Sequence, residues 1–321
     1  MEKMINHSSY EKCVLCPRNC GINRNNSNNG YCGENAALRL ACASIHRGEE
    51  PPITGMHGSG TIFVSGCNLG CVFCQNFQIS NCEECGRPVE TAEFAQICLI
   101  LQEKGAENIN IVTGSHAVPG IAVGIAAARA AGLEIPVLWN SSAYELPETL
   151  ALLSETVDVF LPDIKTLDSA IAGQYFNAPD YPAAAAAAIE KMLKMRQLRF
   201  KEERLVSGVM VRHLVLPGHL QASREVLRWF AERCAGKALL SLMFQYTPTQ
   251  LYHGVRSFPN RYINQNEYDT VLGWLTEFGI EDGYCQELVP GNADWLPDFK
   301  KENPFPSNLS IPVWHWKNGF I

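Results

Sequence analysis

Thr61-Ile-Phe-Val-Ser65-Gly-Cys67-Asn-Leu-Gly-Cys71-Val-Phe-Cys74-Gln-Asn-Phe77 carries two signals in one stretch. Residues 61–65 (TIFVS) are a short apolar, β-branched run that reads as a strand. Directly behind it stand three cysteines in C-x3-C-x2-C spacing. Three thiolates on one tight loop can each take an iron of a cubane cluster, whereas most such clusters use four cysteines. The fourth iron is then open to a small molecule, which chemistry at the cluster requires. Gly66 and Gly70 give the backbone freedom that such a loop needs. A zinc loop with a distant fourth ligand is the competing reading, although zinc modules usually present paired C-x2-C knuckles.

Outward from this loop the chain alternates short apolar runs with helical segments. After 61–65 come a helix over 92–104, a strand over 108–113 (NINIVT), an Ala-rich helix over 118–131 and a strand over 136–140 (PVLWN). A helix over 146–154 leads to a strand over 157–163 (VDVFLPD), then to helices near 168–175 and 182–198. The strand 209–216 (VMVRHLVL), the helix 221–234, the strand 238–243 (ALLSLM) and the helix 266–278 complete the series. Continuous apolar strands with intervening helices predict an α/β fold with a buried parallel sheet and right-handed crossovers. About six such units curl into an incomplete barrel, a partial (β/α)6 arrangement. Parallel barrels carry their chemistry at the C-terminal ends of the strands.

The phrase GCNLGCVFCQN, with an aromatic (Phe73) before the last cysteine, resembles the signature of the radical S-adenosylmethionine (SAM) superfamily. It is most similar to the branch of pyruvate formate-lyase activating enzymes and their uncharacterised relatives with an N-terminal Cys-rich extension. The resemblance covers most of residues 45–290. It implies a [4Fe–4S] cluster on Cys67, Cys71 and Cys74, to which SAM binds. Reductive cleavage of SAM then gives a 5′-deoxyadenosyl radical that abstracts a hydrogen atom, in activating enzymes from a glycyl-radical protein. It further implies an electron donor such as flavodoxin or ferredoxin.

The same resemblance places cofactor contacts at strand ends. Phe73 falls beside the adenine and Gly114 near the methionine amino group, where Ser115 and His116 depart from the family's Gly-Gly-Glu-Pro segment. Asn140 and Ser142 meet the ribose or carboxylate, unless they serve as helix caps. Lys165 of the Asp163-x-Lys165 pair is suited to the polar end of the ligand as a movable point charge. His213 of the segment 211–218 (VRHLVLPG) is chosen over Arg212, which alternates with it across the pleat. Gln245, at the end of the last strand, faces the substrate cavity.

Residues 1–55 differ in character. They hold Cys13, Cys16, Cys20, Cys32 and Cys42 and the polar run 23–30 (NRNNSNNG), with few apolar residues to bury. A metal would hold such a segment together. Cys13, Cys16, Cys20 and Cys32 form a second candidate site, for structural zinc or an auxiliary iron–sulfur cluster. Cys82 and Cys85 could extend that site, form a redox pair or remain two free thiols. Cys98, Cys234 and Cys285 read as small core residues. The division expected is a Cys-rich extension over 1–55, a barrel over 56–290, and a Pro- and Trp-rich tail over 291–321 (Trp295, Trp314, Trp316) that wraps a barrel edge.

Bulk composition sets limits. The chain has 321 residues, is 46% hydrophobic and carries a net charge of −7. That charge argues against a nucleic-acid partner. No apolar run is long enough for a membrane span, and the polar start at 1–10 is unlike a signal peptide, so a cytoplasmic protein is expected. Ten of the thirteen cysteines fall within residues 13–85, and the total is odd. Disulfides are rare in a reducing compartment, so the clustering points to metal ligation. The reading from another class is a cysteine-rich zinc or iron–sulfur electron-carrier module without SAM chemistry.

Overall fold

The computed structural model describes residues 8–26, 29–80, 86–248, 259–289 and 296–321. Cys82, Cys85 and Trp295 lie outside these described residues. The strands are β1 (Arg39–His46), β2 (Ser59–Val64), β3 (Arg87–Pro88), β4 (Ile109–Val112), β5 (Val137–Ser141), β6 (Val159–Pro162), β7 (Arg199–Lys201), β8 (Arg204–Leu214), β9 (Leu239–Met243), β10 (Gly283–Cys285), β11 (Ser310–His315) and β12 (Gly319–Phe320).

One open sheet runs β10-β9-β8-β6-β5-β4-β2-β1-β11-β12, with β3 and β7 as side branches. From β2 to β9 every neighbouring pair is parallel. The six strands expected from the apolar runs are therefore the six central parallel strands, and the fold is an α/β partial barrel. Every residue of β2, β4 and β6 is buried, which is why these segments show no apolar–polar alternation. The helices Thr91–Glu103, Val118–Ala130, Tyr181–Met195 and Leu220–Arg233 lie between successive strands. Each buries one apolar face, as with Phe94, Ile97 and Leu101 in the first of them.

The flanks of the sheet differ from the sequence expectation. β1 lies inside the segment read as extension, yet it pairs antiparallel with β2 over Leu40–His46. The tail does not simply wrap an edge, because β11 pairs antiparallel with β1 and brings residue 315 opposite Cys42. Cys42 is fully buried in β1. On the other flank β10 adds in parallel to β9. Cys98 and Cys234 are buried as expected, but Cys285 is exposed, because β10 is a short edge strand with a solvent-facing side. Among the described residues no helix is long and apolar enough to cross a membrane.

Candidate functional site

The chain leaves β2 through Ser65 and Gly66 and enters the three-cysteine loop. Gly66 and Gly70 both adopt left-handed backbone, with φ of 83° and 70°. Cys67 and Cys71 are buried and Cys74 is half-buried. The loop is closed by a turn in which the Cys74 amide donates to the Cys71 carbonyl at 3.1 Å. It is pinned to the barrel by the Val72 amide donating to the Tyr175 carbonyl at 3.0 Å. The Leu69 amide donates to Cys67 Sγ at 3.4 Å. Burial pushes the Cys71 thiol well up, although Lys165 pulls it down. Burial raises Cys74 to about 11. Buried thiols of this kind ionise when a metal takes them, with release of protons.

All three cysteines line one cavity of about 240 Å³ at the C-terminal ends of the parallel strands. Among the described residues no three His, Cys, Asp or Glu side chains converge closely enough to hold a single metal ion. A cubane spreads its thiolates over separate irons rather than gathering them on one atom, so three cysteines on one cavity wall suit a cluster better than zinc.

Gly66 tests the loop directly. A Cβ there would lie 2.4 Å from Glu34 Cγ and 2.8 Å from the Cys32 carbonyl oxygen, on a backbone with positive φ. Gly66→Ala should lower stability by about 1–3 kcal/mol and reduce the iron retained after reconstitution. Thermal unfolding and iron analysis check this, and wild-type values in both would contradict the geometry.

Phe73, Asn140, Ser142, Lys165 and Gln245 line the same cavity. Phe73 is held edge-on by Tyr175, Phe176 and Tyr246, with ring centroids 6.1, 5.8 and 6.1 Å away. Lys165 Nζ bonds Asp163 Oδ2 at 2.8 Å. Burial alone would lower its pKa, but Asp163 and Cys71 outweigh it and push it up. Tyr181 fixes this strand end, its hydroxyl donating to the Asp163 carbonyl at 2.8 Å and accepting from the Lys165 amide at 2.9 Å.

Two expected contacts are not among the residues that line the cavity. Gly114 instead permits close packing, since a Cβ there would lie 2.5 Å from the Trp139 ring and 2.7 Å from Ile121 Cδ1. The residue presented at this strand end is Thr113, whose φ of 64° is rare for a β-branched side chain. His213 points away from the cavity, with Nδ1 2.7 Å from the Ile164 carbonyl and Nε2 2.9 Å from Ser223 Oγ. Burial holds its pKa down to about 4. The pleat turns Arg212 inward instead. Arg212 lines the cavity, with Nη2 2.6 Å from Glu49 Oε2 and Nε 2.8 Å from Glu50 Oε1. Glu49 and Glu50 sit in a turn before a one-turn helix with Pro at its start, and no motif in the sequence marked them.

Behind the cavity stands Glu145, which is 2% exposed. Trp139 Nε1 and Ser115 Oγ donate to its Oε1 at 2.7 and 2.8 Å, and Ser141 Oγ donates to Oε2 at 2.7 Å. One carboxylate thus ties the ends of β4 and β5 and sets Thr113, Asn140 and Ser142 against the cavity. Burial pushes its pKa up against the pull of these donors.

A second cavity of about 440 Å³ adjoins the first and shares Glu49, Arg212, Met243 and Gln245 with it. Arg47, Glu50, Tyr284 and Gln286 add polar groups to a lining that also holds Pro51, Leu242 and Leu309.

Comparison with known proteins covers much of the same ground. A family model described as the Radical SAM superfamily matches residues 61–230. The uncharacterized protein MJ0674 of Methanocaldococcus jannaschii is 28% identical over 281 residues, spanning 85% of this chain and 76% of that protein. Among solved structures, SuiB of Streptococcus suis bound to S-adenosylmethionine is similar with TM-score 0.49 and 13% identity, over 69% of this chain. The chain matches 48% of SuiB's own length. Methylornithine synthase (PylB) is similar with TM-score 0.46 and 12% identity, over 71% of this chain and 70% of its own.

Proposed function

Because the chain belongs to the radical SAM superfamily, we propose that the cavity bounded by Cys67, Cys71 and Cys74 seats SAM against a [4Fe–4S] cluster on those three thiols. The observation that carries this is the lining itself. Among the described residues these are the three cysteines that face the cavity, and the Lys165–Asp163 pair shares it. A cluster held by these thiols would supply the electron for reductive cleavage of the sulfonium, the chemistry that lets a radical SAM enzyme take a hydrogen atom from its substrate.

The chain's own residues bind and orient. Lys165 meets the SAM carboxylate with an ammonium that burial has stripped of competing water. Phe73, braced by three aromatic rings, gives the adenine an apolar wall. Asn140, Ser142 and Thr113 offer polar groups to the ribose and the methionine end, in the place first given to Gly114. Arg212 with Glu49 occupies the place first given to His213. The adjoining cavity is the substrate side.

The finer reading is activation of a glycyl-radical protein, with reducing equivalents from flavodoxin or ferredoxin. The similarity of GCNLGCVFCQN to activating enzymes supports it. Anaerobic reconstitution with iron and sulfide, followed by dithionite and SAM, should release 5′-deoxyadenosine. A glycyl-radical protein added to the mixture should then show an organic radical by paramagnetic resonance. Absence of 5′-deoxyadenosine would refute the SAM chemistry and favour an electron carrier. Its release without any protein radical across such partners would refute the activating role alone.

Lys165→Met removes a charge-assisted hydrogen bond of about 1.5–3 kcal/mol, so the SAM Kd should rise roughly 10- to 100-fold. Equilibrium dialysis with the reconstituted variant measures this, and an unchanged Kd would remove Lys165 from the cofactor site.

A further inference from the structure

Beyond the SAM site, we propose that Cys13, Cys16, Cys20 and Cys32 hold a second iron–sulfur cluster, with Arg24 as its buried counterion. Arg24 is 2% exposed. Its Nε donates to the Glu34 carbonyl at 3.0 Å, Nη1 to the His116 carbonyl at 2.8 Å, and Nη2 to the Asn35 carbonyl at 2.6 Å. All three are neutral acceptors. The remaining polar contact is Nη1 to Cys13 Sγ at 3.6 Å, and the Tyr10 ring lies 4.7 Å away. Among the described residues Arg24 pairs with no carboxylate. An unpaired guanidinium is costly to bury, so an anionic partner belongs beside it, and a metal bound by four thiolates is one.

The thiols are placed to supply that partner. Cys13, Cys16 and Cys32 are buried, and Cys20 is half-buried. Two short turns hold Cys16 and Cys32. In one the Asn19 amide donates to the Cys16 carbonyl at 3.0 Å, and in the other the Gly33 amide donates to the Gly30 carbonyl at 3.0 Å. Gly30 lies beside two of the sulfurs and Arg24, because a Cβ there would lie 3.3 Å from Cys32 Sγ and 3.8 Å from both Cys20 Sγ and Arg24 Cδ. The Tyr31 amide donates to Cys20 Sγ at 3.4 Å, as the Leu69 amide does to Cys67 Sγ.

The spread of the thiols favours iron–sulfur over zinc, and a backbone contact links the two cysteine sets. The four sulfurs do not converge on a single-ion position, just as those of the radical loop do not. The two cysteine sets also share a backbone, with the Cys67 amide donating to the Cys32 carbonyl at 3.2 Å. Arg24 adds a further link by holding the His116 carbonyl, at the strand end that presents Thr113.

The test uses the full chain, handled anaerobically, with Cys67, Cys71 and Cys74 all changed to Ala so that the radical loop binds nothing. This variant should keep one cluster's iron and acid-labile sulfide per chain, with a brown charge-transfer band. Adding Cys16→Ser and Cys20→Ser should remove both. A folded triple variant, by circular dichroism, that holds no iron and sulfide would overturn the proposal. So would one that holds zinc without sulfide. In the triple variant Arg24→Met should shift the cluster's midpoint potential to more negative values or cost the cluster outright, and Arg24→Lys should restore it. An unchanged potential in Arg24→Met would overturn the counterion assignment. Failure of SAM cleavage in the wild type touches neither result.

Discussion

Cys71→Ala should abolish release of 5′-deoxyadenosine, to the level seen without protein. Cys71 is 8% exposed and lines the cavity together with Lys165. A loop that offers three ligands to a cubane has no spare one, since the chemistry already requires one iron to be open to SAM. Losing one thiol leaves two ligands, too few to hold the cluster in place. Serine would not restore it well, because an alkoxide is a harder ligand than a thiolate for this iron chemistry. The variant should also lose the brown chromophore of the radical loop while its far-ultraviolet circular dichroism stays that of the wild type. The helices and strands do not pass through this loop, so the two readouts separate cluster loss from unfolding. Wild-type release of 5′-deoxyadenosine by the variant would contradict the assignment of the loop.

Glu145→Ala should have the largest effect on stability. Three donors, Trp139 Nε1, Ser115 Oγ and Ser141 Oγ, converge on this one carboxylate. Each donor left buried and unpaired costs about 1–3 kcal/mol. Allowing for water entering the space left behind, the total is about 3–5 kcal/mol. For a chain of this size that corresponds to a fall in Tm of roughly 4–7 °C. Glu145→Gln should fall between, because one carbonyl oxygen can still accept while the amide NH2 faces a donor. The variant should also bind SAM more weakly, since Asn140 and Ser142 flank Ser141, which Glu145 anchors. A Tm within a degree of wild type for Glu145→Ala would show that the three bonds do not hold the strand ends together.

The barrel was legible because its strands are buried on both faces and so appear as unbroken apolar runs, as in 108–113 and 157–163. The loop 65–77 stood out because its signal is local, with three cysteines within eight residues. What escaped was non-local. The strand β1 reads RLACASIH, short of β-branched residues and set among cysteines that suggest irregular chain. Its partner β11 arrives from residue 310 and contains Pro312, which argues against a strand. The structure accommodates that proline where the register slips, opposite Ser44 at an irregularity between Ala43 and Ser44. No local pattern announces such a pairing.

The site shows the same division. The strand-end residues that line the cavity could be placed because the end of a parallel strand is predictable, but which of two neighbours faces inward was not. The choice between Arg212 and His213 turned on the phase of the pleat in an eleven-residue strand, and a one-residue error in phase exchanges the faces. Glu49, Glu50 and Glu145 were missed for another reason. Each acts through partners distant in sequence or through a fold-dependent turn, and none lies in a motif.

The most direct measurement is the paramagnetic resonance spectrum of the reduced, reconstituted wild-type protein, recorded with and without SAM. If the cluster on Cys67, Cys71 and Cys74 has an iron without a protein ligand, SAM binds it, and the signal from that cluster changes shape and g values. That change should vanish in Cys71→Ala. A spectrum with no SAM-dependent component, or a SAM-dependent change that persists without Cys71, would contradict the account.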